Sequence, residues 1–490
     1  MLVGGIDIGT TGTKLTIFDD GKIIDSFYRK YDYDRFSSED EIDASLIRNA
    51  VLCILESVFA KYPLIEKLGV TSFGETFVCL DKDDNILYPS FLYTSKVGDE
   101  EKKELENNLG QKLIGEITGL KIDSMFSLPK IMYIKNKLPL VFQKIDKILL
   151  IEDFITYTLT GSRYIDYSLA TRTLCFNVYK KTWSKTILNA VGISPSFFSK
   201  PCRSGTFCGN LRNNIKNKFN INHDVKVYAI AHDQIANAIG SGVVKEGFAV
   251  DGNGTCECIS ICYDMSKIED NSFLYEQAYC VVPYVNNLHI SYILNYTAGA
   301  LIDWVINTYF QDINLKDGSI FEYLNSNMPS NINDLLVLPY FSGNATPYAD
   351  KDVKGAIINL SLNTTRYDIY KATLESLCFE MKLNIDNFKE HGVKIDKLIA
   401  SGGGSSNDAY LQMKADILNI PIYKLAFKDA GTIGAYILMN DSKLNELLNE
   451  ENSEKILEIS KVFTPNHDLF DEYNKKYLHY KNMYKQIKGI

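Results

Sequence analysis

The chain carries too little positive charge for a polyanionic partner. Lysine and arginine number 52 against 61 aspartates and glutamates, a net charge of −9 over 490 residues. Nucleic-acid affinity comes mainly from basic surfaces, so no nucleic-acid partner is expected. No apolar run reaches membrane-span length, so no membrane partner is expected either. The opening MLVGGIDIGTTGTK lacks a basic region followed by an apolar stretch and does not read as a secretion signal. Histidine is scarce, with 6 residues, and the nearest to Cys256, Cys258, Cys262 and Cys280 is His289. Zinc sites more often pair Cys-x-x-Cys with a second pair or with histidines. Those first three cysteines alternate within the apolar pattern TCECISICY and read as core. The 10 cysteines are expected to be reduced thiols in a cytoplasmic protein. Neither G-x-x-x-x-G-K-[ST] nor G-x-G-x-x-G after a strand occurs, so a P-loop and a dinucleotide fingerprint are both excluded.

What is present is a chain of two- or three-domain length with a restart at its middle. Gly9-Thr10 and Gly254-Thr255 lie 245 positions apart, half of 490. Each follows a short apolar strand and precedes another, a strand–glycine turn–strand pattern. An amphipathic helix is expected over 42–59, short strands over 68–73 and 77–80, and a long helix around 374–388. A strand over 397–400 leads into Ser401-Gly-Gly-Gly404 and a helix over 408–418. The glycines at 240, 242 and 247 read as a hinge or tight connection. Two α/β halves of similar start, arisen by duplication, are the economical summary. Halves without a shared strand order would exclude that origin.

Five segments carry chemistry. In Asp7-Ile-Gly-Thr-Thr-Gly-Thr-Lys14, glycines let backbone N–H groups approach an oxyanion, hydroxyls add donors, and Lys14 adds charge. Asp251-Gly-Asn-Gly-Thr255 offers the same without a lysine. Either alone is also a plain hairpin turn; the pair suggests a phosphate tail gripped from two sides. Ser401-Gly-Gly-Gly404 between strand and helix suits a backbone passing close to a ligand, or an ordinary β–α turn. Asp233 in Ala231-His-Asp-Gln234 stands at a strand end, where α/β sites gather and where helix N-caps also fall. His232 reads as a packed or exposed histidine. Glu75 in Ser72-Phe-Gly-Glu-Thr76 is a charge inside an apolar strand pair, or a turn glutamate facing water.

In this order, the segments resemble the FGGY family of carbohydrate kinases over nearly the whole chain: GIDIGTTGTK, VTSFGETFVCLD, FSLPKIMYIKN, DFITYTLTG, DYSLATRTLCFNVYKKTW, AHDQIANAIGSGVVKEG, NGT, ATPYADKDVKG, SGGGSSNDAYLQMKADILNIPI and DAGTIGAYILM. The resemblance implies an α/β fold of two ribonuclease-H-like (actin-like ATPase) domains around a central cleft, spanning 1–241 and 242–490. It implies ATP and Mg²⁺ as cofactors, with Asp7 toward the metal. Thr10, Thr11, Lys14, Gly254 and Thr255 would face the phosphates, Gly402, Gly403, Gly404 and Asn407 would border the adenosine, and Gly299 would also belong to the cofactor site. Asp233 would take the acceptor's hydroxyl proton; phosphoryl transfer depends on positioning and charge neutralisation more than on basicity. Such kinases close over their substrates, with the 240–247 glycines placed for that motion. Dimers are common in the family, so a homodimer is one expectation.

The acceptor pocket departs from the best-known members. Gly74 stands where glycerol kinases have arginine in Asn-Gln-Arg-Glu-Thr, and xylulose kinases have Gln-Met-His-Gly there. Tyr93-Thr-Ser95-Lys-Val97 replaces the usual Trp-x-Asp-x-Arg. Glu75 suits vicinal hydroxyls and, with the arginine gone, would repel an aldonate carboxylate. The expectation is a small neutral sugar or polyol, foremost a ketopentose (xylulokinase-like), bound by Glu75, Tyr93, Asp233 and Gln234. Glycerol or another polyol, a non-kinase actin-like ATPase and a sugar sensor are the alternatives.

Overall fold

In the computed structural model, which describes residues 1–32, 40–313, 319–427, 429–449 and 458–488, the chain opens as an antiparallel meander. Its strands are β1 (Leu2–Ile8), β2 (Gly12–Asp19) and β3 (Lys22–Lys30). Gly9 N–H closes the first turn by donating to the Gly12 carbonyl at 3.0 Å. Gly12 has no room for a side chain: a Cβ there would lie 2.5 Å from the Tyr28 hydroxyl oxygen. The β2–β3 turn is Asp20-Gly21, both at positive φ (45° and 90°), as a twisted two-residue hairpin requires.

Helix α1 (Ala44–Lys61) starts at Asp43, whose carboxylate caps it by accepting the Ser45 N–H at 2.8 Å. Ile47, Ala50, Val51, Ile54, Leu55 and Val58 recur at three- and four-residue spacing and bury one face in the first core. Strand β4 (Lys67–Ser72) pairs parallel with β1. A five-residue helix, α2 (Tyr167–Thr171), precedes β5 (Thr206–Asn210) and β6 (Lys226–His232). Strand β6 is parallel to β4 and antiparallel to β5, and runs directly into helix α3 (Asp233–Gly240). The resulting order is β5-β6-β4-β1-β2-β3.

The second meander is β7 (Gly247–Asn253), β8 (Glu257–Tyr263) and β9 (His289–Asn295), followed by helix α4 (Gly299–Tyr309). Helix α5 (Arg366–Glu390) is buried on nearly all sides and starts with a Thr365/Asp368 capping box. Strand β10 (Ile395–Ser401) lies parallel to β7, and helix α6 (Asp408–Leu418) follows. Strand β11 (Ile422–Leu425) is parallel to β10; after helix α7 (Ala430–Leu438), β12 (Ile459–Phe463) pairs antiparallel with β11. In that seven-stranded sheet these six strands run in the order β9-β8-β7-β10-β11-β12.

Each sheet thus contains a three-strand meander whose first strand pairs parallel with a fourth, then a fifth, then an antiparallel edge strand. The halves share a strand order, which supports duplication. They differ at that edge, where β5 precedes its partner β6 and β12 follows its partner β11.

The chain divides into two compact units: Met1–Gly242 with Val281–Asn287 and Asp429–Ser453, and Val243–Cys280 with Leu288–Lys428 and Glu454–Ile490. The division is not a single cut, because α7 belongs with the first unit. There it packs on α3 so closely that a Cβ at Gly240 would lie 2.7 Å from the Gly434 nitrogen. Gly240 is therefore a helix-packing glycine rather than a hinge. Gly242 and Gly247, at φ 76° and 85°, do take turn conformations favouring glycine.

Candidate active site

In the first unit, three acids gather at the carboxyl ends of the adjacent parallel strands β1, β4 and β6. Asp7 lies in β1 opposite Thr71; His232, the last residue of β6, lies opposite Ser72, with Asp233 next and Glu75 three residues beyond β4. Ligands of open α/β sheets bind outside these strand ends. The strands are tied where it matters: Thr71 Oγ1 donates to the Ala231 carbonyl at 2.7 Å, and the His232 N–H donates to Ser168 Oγ at 2.8 Å.

Asp233 opens α3 but does not cap it; the N-cap is His232, whose side chain makes no capping bond to the helix. The Asp233 carboxylate accepts the Gln234 N–H at 2.6 Å and stands 3.2 Å from His232 Nε2. Burial, with the negative charges of Asp7 and Glu75 added, pushes it up to about 7 against the pull of the Gln234 N–H and Arg172. A buried His232 is held well below its ordinary range by desolvation and by the Arg172 charge, so it is neutral. Gln234 is half-buried in the first turn of α3.

Asp7 is pushed to about 6 by burial, with Lys14 opposing and Asp429 adding. Lys14, expected toward phosphate, makes an ion pair with Asp429 at 2.5 Å. The start of α7 faces the same carboxylate: a Cβ at Gly431 would sit 3.7 Å from Asp7 Oδ2. Thr10 and Thr11 form the β1–β2 turn, Thr11 exposed and its carbonyl accepting the Tyr31 N–H at 3.1 Å.

Glu75 does not face water as a turn residue would. It is 5% exposed, at φ 62°, and its carboxylate takes Arg172 Nε at 2.5 Å together with Arg172 Nη2. The pocket is therefore not without an arginine. Gly74 leaves room for this pair, since a Cβ there would come within 3.0 Å of Arg172 Cγ and 3.1 Å of His232 Nε2. Tyr93 is 44% exposed, on the turn between Ser90–Phe91 and Asp99–Asn108.

In the second unit, Gly254 and Thr255 form an exposed turn docked on the start of α4. The Gly254 carbonyl accepts from Gly299 N–H at 3.0 Å, and that of Thr255 from Ala298 and Ala300 at 3.2 and 3.1 Å. A Cβ at Gly299 would lie 2.5 Å from the Gly254 oxygen. Gly402 has φ 81° and ψ −177°, a glycine-only conformation, and a Cβ would lie 2.6 Å from the Asn253 carbonyl. Gly403 meets open space, and Gly404 packs on Asn253. Asn407 caps α6, its Oδ1 accepting from Tyr410 N–H at 3.1 Å and Asn325 Nδ2 at 2.9 Å.

Asp251, the acid before the second turn, has a different part from Asp7. It is fully buried and ion-paired with Lys414, which also holds Glu257. Burial pushes Glu257 up to about 8 against the Lys414 charge. Cys262 is buried and Cys256 exposed, and no cluster of three His, Cys, Asp or Glu side chains is placed to hold a metal among the described residues. No helix of the described residues is long and apolar enough to cross a membrane. Arg172, Asp429 and Lys414 are the site-region residues that the motifs did not single out; all three lie within quoted segments, with nothing local to mark their partners.

Residues 2–240 match the N-terminal domain of the FGGY family of carbohydrate kinases, and residues 292–440 its C-terminal domain. The xylulose kinase of Staphylococcus xylosus is 27% identical over 449 residues, covering 89% of each chain. Two crystal structures from Lactobacillus acidophilus share the fold and cover 100% of this chain and 98% of theirs. A ligand-bound xylulose kinase is 24% identical with a TM-score of 0.90, and a gluconate kinase 23% identical with a TM-score of 0.89.

Proposed function

The chain belongs to the FGGY family of carbohydrate kinases and is a sugar or polyol kinase with ATP as donor, and from that premise we propose that its acceptor is a neutral ketopentose or the related open-chain polyol. The observation that carries this is the convergence of Asp233, Asp7 and Glu75 at three adjacent strand ends, with Glu75 charge-balanced by Arg172. Asp233 accepts the acceptor's hydroxyl proton as its oxygen attacks the γ-phosphorus. An environment that lifts its carboxyl toward neutrality suits that task. Neutral His232 lies beside it without adding a positive charge.

Thr10, Thr11 and Lys14 are assigned to the phosphates on the first unit, and Gly254, Thr255 and Gly299 on the second. Gly402, Gly403, Gly404 and Asn407 are assigned to the nucleoside. Gly299 acts through its close seat under Gly254. Asn407 shapes its loop as a cap, so its contribution is geometric. The donor set near Asp7 fits Mg²⁺, a hard cation that takes one or two carboxylates and completes its shell with water and phosphate oxygens. Asp7 would hold it, and when bound it neutralises phosphate charge. Lys14 offsets the charge of the carboxylate beside it, while Asp429 pairs with Lys14 and adds negative charge.

The test is an ADP-release screen with ATP and Mg²⁺ over ketopentoses, pentitols, glycerol, deoxy-ketoses and aldonates. The highest kcat/KM is expected for a ketopentose. A kinetic preference for gluconate over every neutral sugar would overturn the proposal. Glycerol is the second reading, on the retained Glu75-Thr76 element.

A further inference from the structure

Arg172 does more than balance a charge. Both nitrogens on one edge of its guanidinium, Nε and Nη2, converge on a single oxygen, Glu75 Oε1. A fork-to-fork pair would engage both carboxylate oxygens; here one oxygen is taken. Among the described residues none donates a hydrogen bond to Oε2, and Oε2 is not one of the polar side-chain atoms sealed from solvent. Glu75 is fixed on its backbone side too, by its positive φ and by Ser127 Oγ donating to its carbonyl at 2.6 Å.

The element that presents Arg172 is equally tied down. Helix α2 starts at Asp166, which accepts from Ser168 Oγ at 2.8 Å, while Ser168 Oγ accepts the His232 N–H. Arg172 follows the last residue of that helix, and its guanidinium also lies over the Phe126 ring at 5.0 Å. One short helix thus holds the backbone before Asp233 at one end and Glu75 at the other.

We infer that Arg172 is a positioning and specificity-determining residue, pinning Glu75 through Oε1 so that Oε2 faces the acceptor as a fixed hydrogen-bond acceptor for the hydroxyls of a neutral polyhydroxylated substrate. The inference rests on the acceptor class proposed above. An ionised carboxylate only accepts, so Oε2 welcomes hydroxyl donors. A substrate carboxylate would meet the charge of Oε2, because the Nε–Nη2 edge is already committed to Oε1. Discrimination against aldonates therefore comes from the way the arginine is engaged, not from its absence.

The experiment is steady-state kinetics on the full chain with ATP and xylulose, or whichever neutral acceptor the screen ranks first, with gluconate as competitor. Arg172→Lys keeps the charge and loses the fork. It is expected to raise the acceptor KM about 10–100-fold, leave the ATP KM within about twofold, and narrow the preference over gluconate. In a Glu75→Gln background the same substitution should change the acceptor KM less than about threefold, because its effect passes through Glu75. A merely structural arginine would move the ATP KM and kcat alongside and act additively with Glu75→Gln; that pattern overturns the inference. If Arg172→Lys does not fold, Glu75→Gln/Arg172→Gln, which removes both charges together, takes its place, and an unchanged acceptor KM there is equally fatal. Wild-type turnover with an Arg172→Lys acceptor KM within twofold of normal overturns this inference alone. Absence of wild-type turnover with every neutral acceptor removes the acceptor class and the inference with it.

Discussion

Asp233→Asn should abolish turnover and at the same time stabilise the protein above neutral pH. Moving a carboxyl from its ordinary 3.8 to about 7 corresponds to at most ~4 kcal/mol favouring the protonated form in the folded state. Because 34% of the side chain meets solvent, about 1–2 kcal/mol of that is retained. The folded pKa lies above the unfolded one, so the native state binds the extra proton between about pH 4 and 7. Stability from this group is therefore full below the lower value and lost as pH rises through the upper one. Asparagine carries no charge to desolvate, so it removes the penalty where the penalty is complete. With magnesium chelated and no nucleotide, Asp233→Asn should melt roughly 2–8 °C above wild type at pH 8, and by less at pH 5. In the presence of ATP and Mg²⁺ its kcat should fall by about 10²–10⁴-fold. Calorimetry at the two pH values and coupled ADP release read both quantities. Near-normal turnover would remove Asp233 as base. A lower melting temperature at pH 8 would show that its carboxylate is held by favourable contacts, refuting the desolvation argument.

Further outcomes are expected. The acid limb of kcat/KM for the sugar should fall near pH 7 in wild type, since that profile reports the free enzyme, with the rate rising as Asp233 ionises. Lys414→Met strands Asp251 and Glu257 in the core and should cost about 3–5 kcal/mol by urea titration, whereas adding Asp251→Asn and Glu257→Gln should restore much of it. Gly402→Ala forces a side chain into a glycine-only conformation beside the Asn253 carbonyl; an ATP KM raised several-fold with a nearly normal sugar KM is expected from initial-rate kinetics. Gly434→Ala drives a methyl into the backbone of α3 and should lower stability by about 3 kcal/mol or more, seen in thermal melts.

Much of this was readable from the chain because it is local. The two hairpin turns and helix α6 are written in contiguous signals: paired glycines, and Asn407 before a run of 3.6-residue period. The strand positions of Asp7 and Asp233 follow from the apolar residues before them. What was illegible is pairing over distance. Arg172 meets Glu75 from 97 residues away, and Lys14 meets Asp429 across 415 positions, contacts set by where helices α2 and α7 pack in the first unit. Glycines show the same limit from the other side. Gly240 and Gly242 look alike in one dimension, yet one is pressed against a helix and the other turns the chain. In sequence Asp251 resembles Asp7, because both precede glycine turns. Only its neighbours on α6 and β8 reveal it as one of three members of a buried ion cluster.

The return of α7 to the first unit has a bearing on how the polypeptide emerges from the ribosome. Strands β1 to β6 and helix α3 are complete once Gly242 is made, but the face of α3 that α7 covers stays bare until Leu438 has been added, 196 residues later. At about 5–20 residues per second that is an interval of roughly 10–40 s. Ile235, Ala236, Ala238 and Ile239, all buried in the finished molecule, belong to that helix. Nascent chains stalled between these points are therefore expected to be the species most readily engaged by chaperones, and a fragment ending at 242 should be soluble only when α7 is supplied.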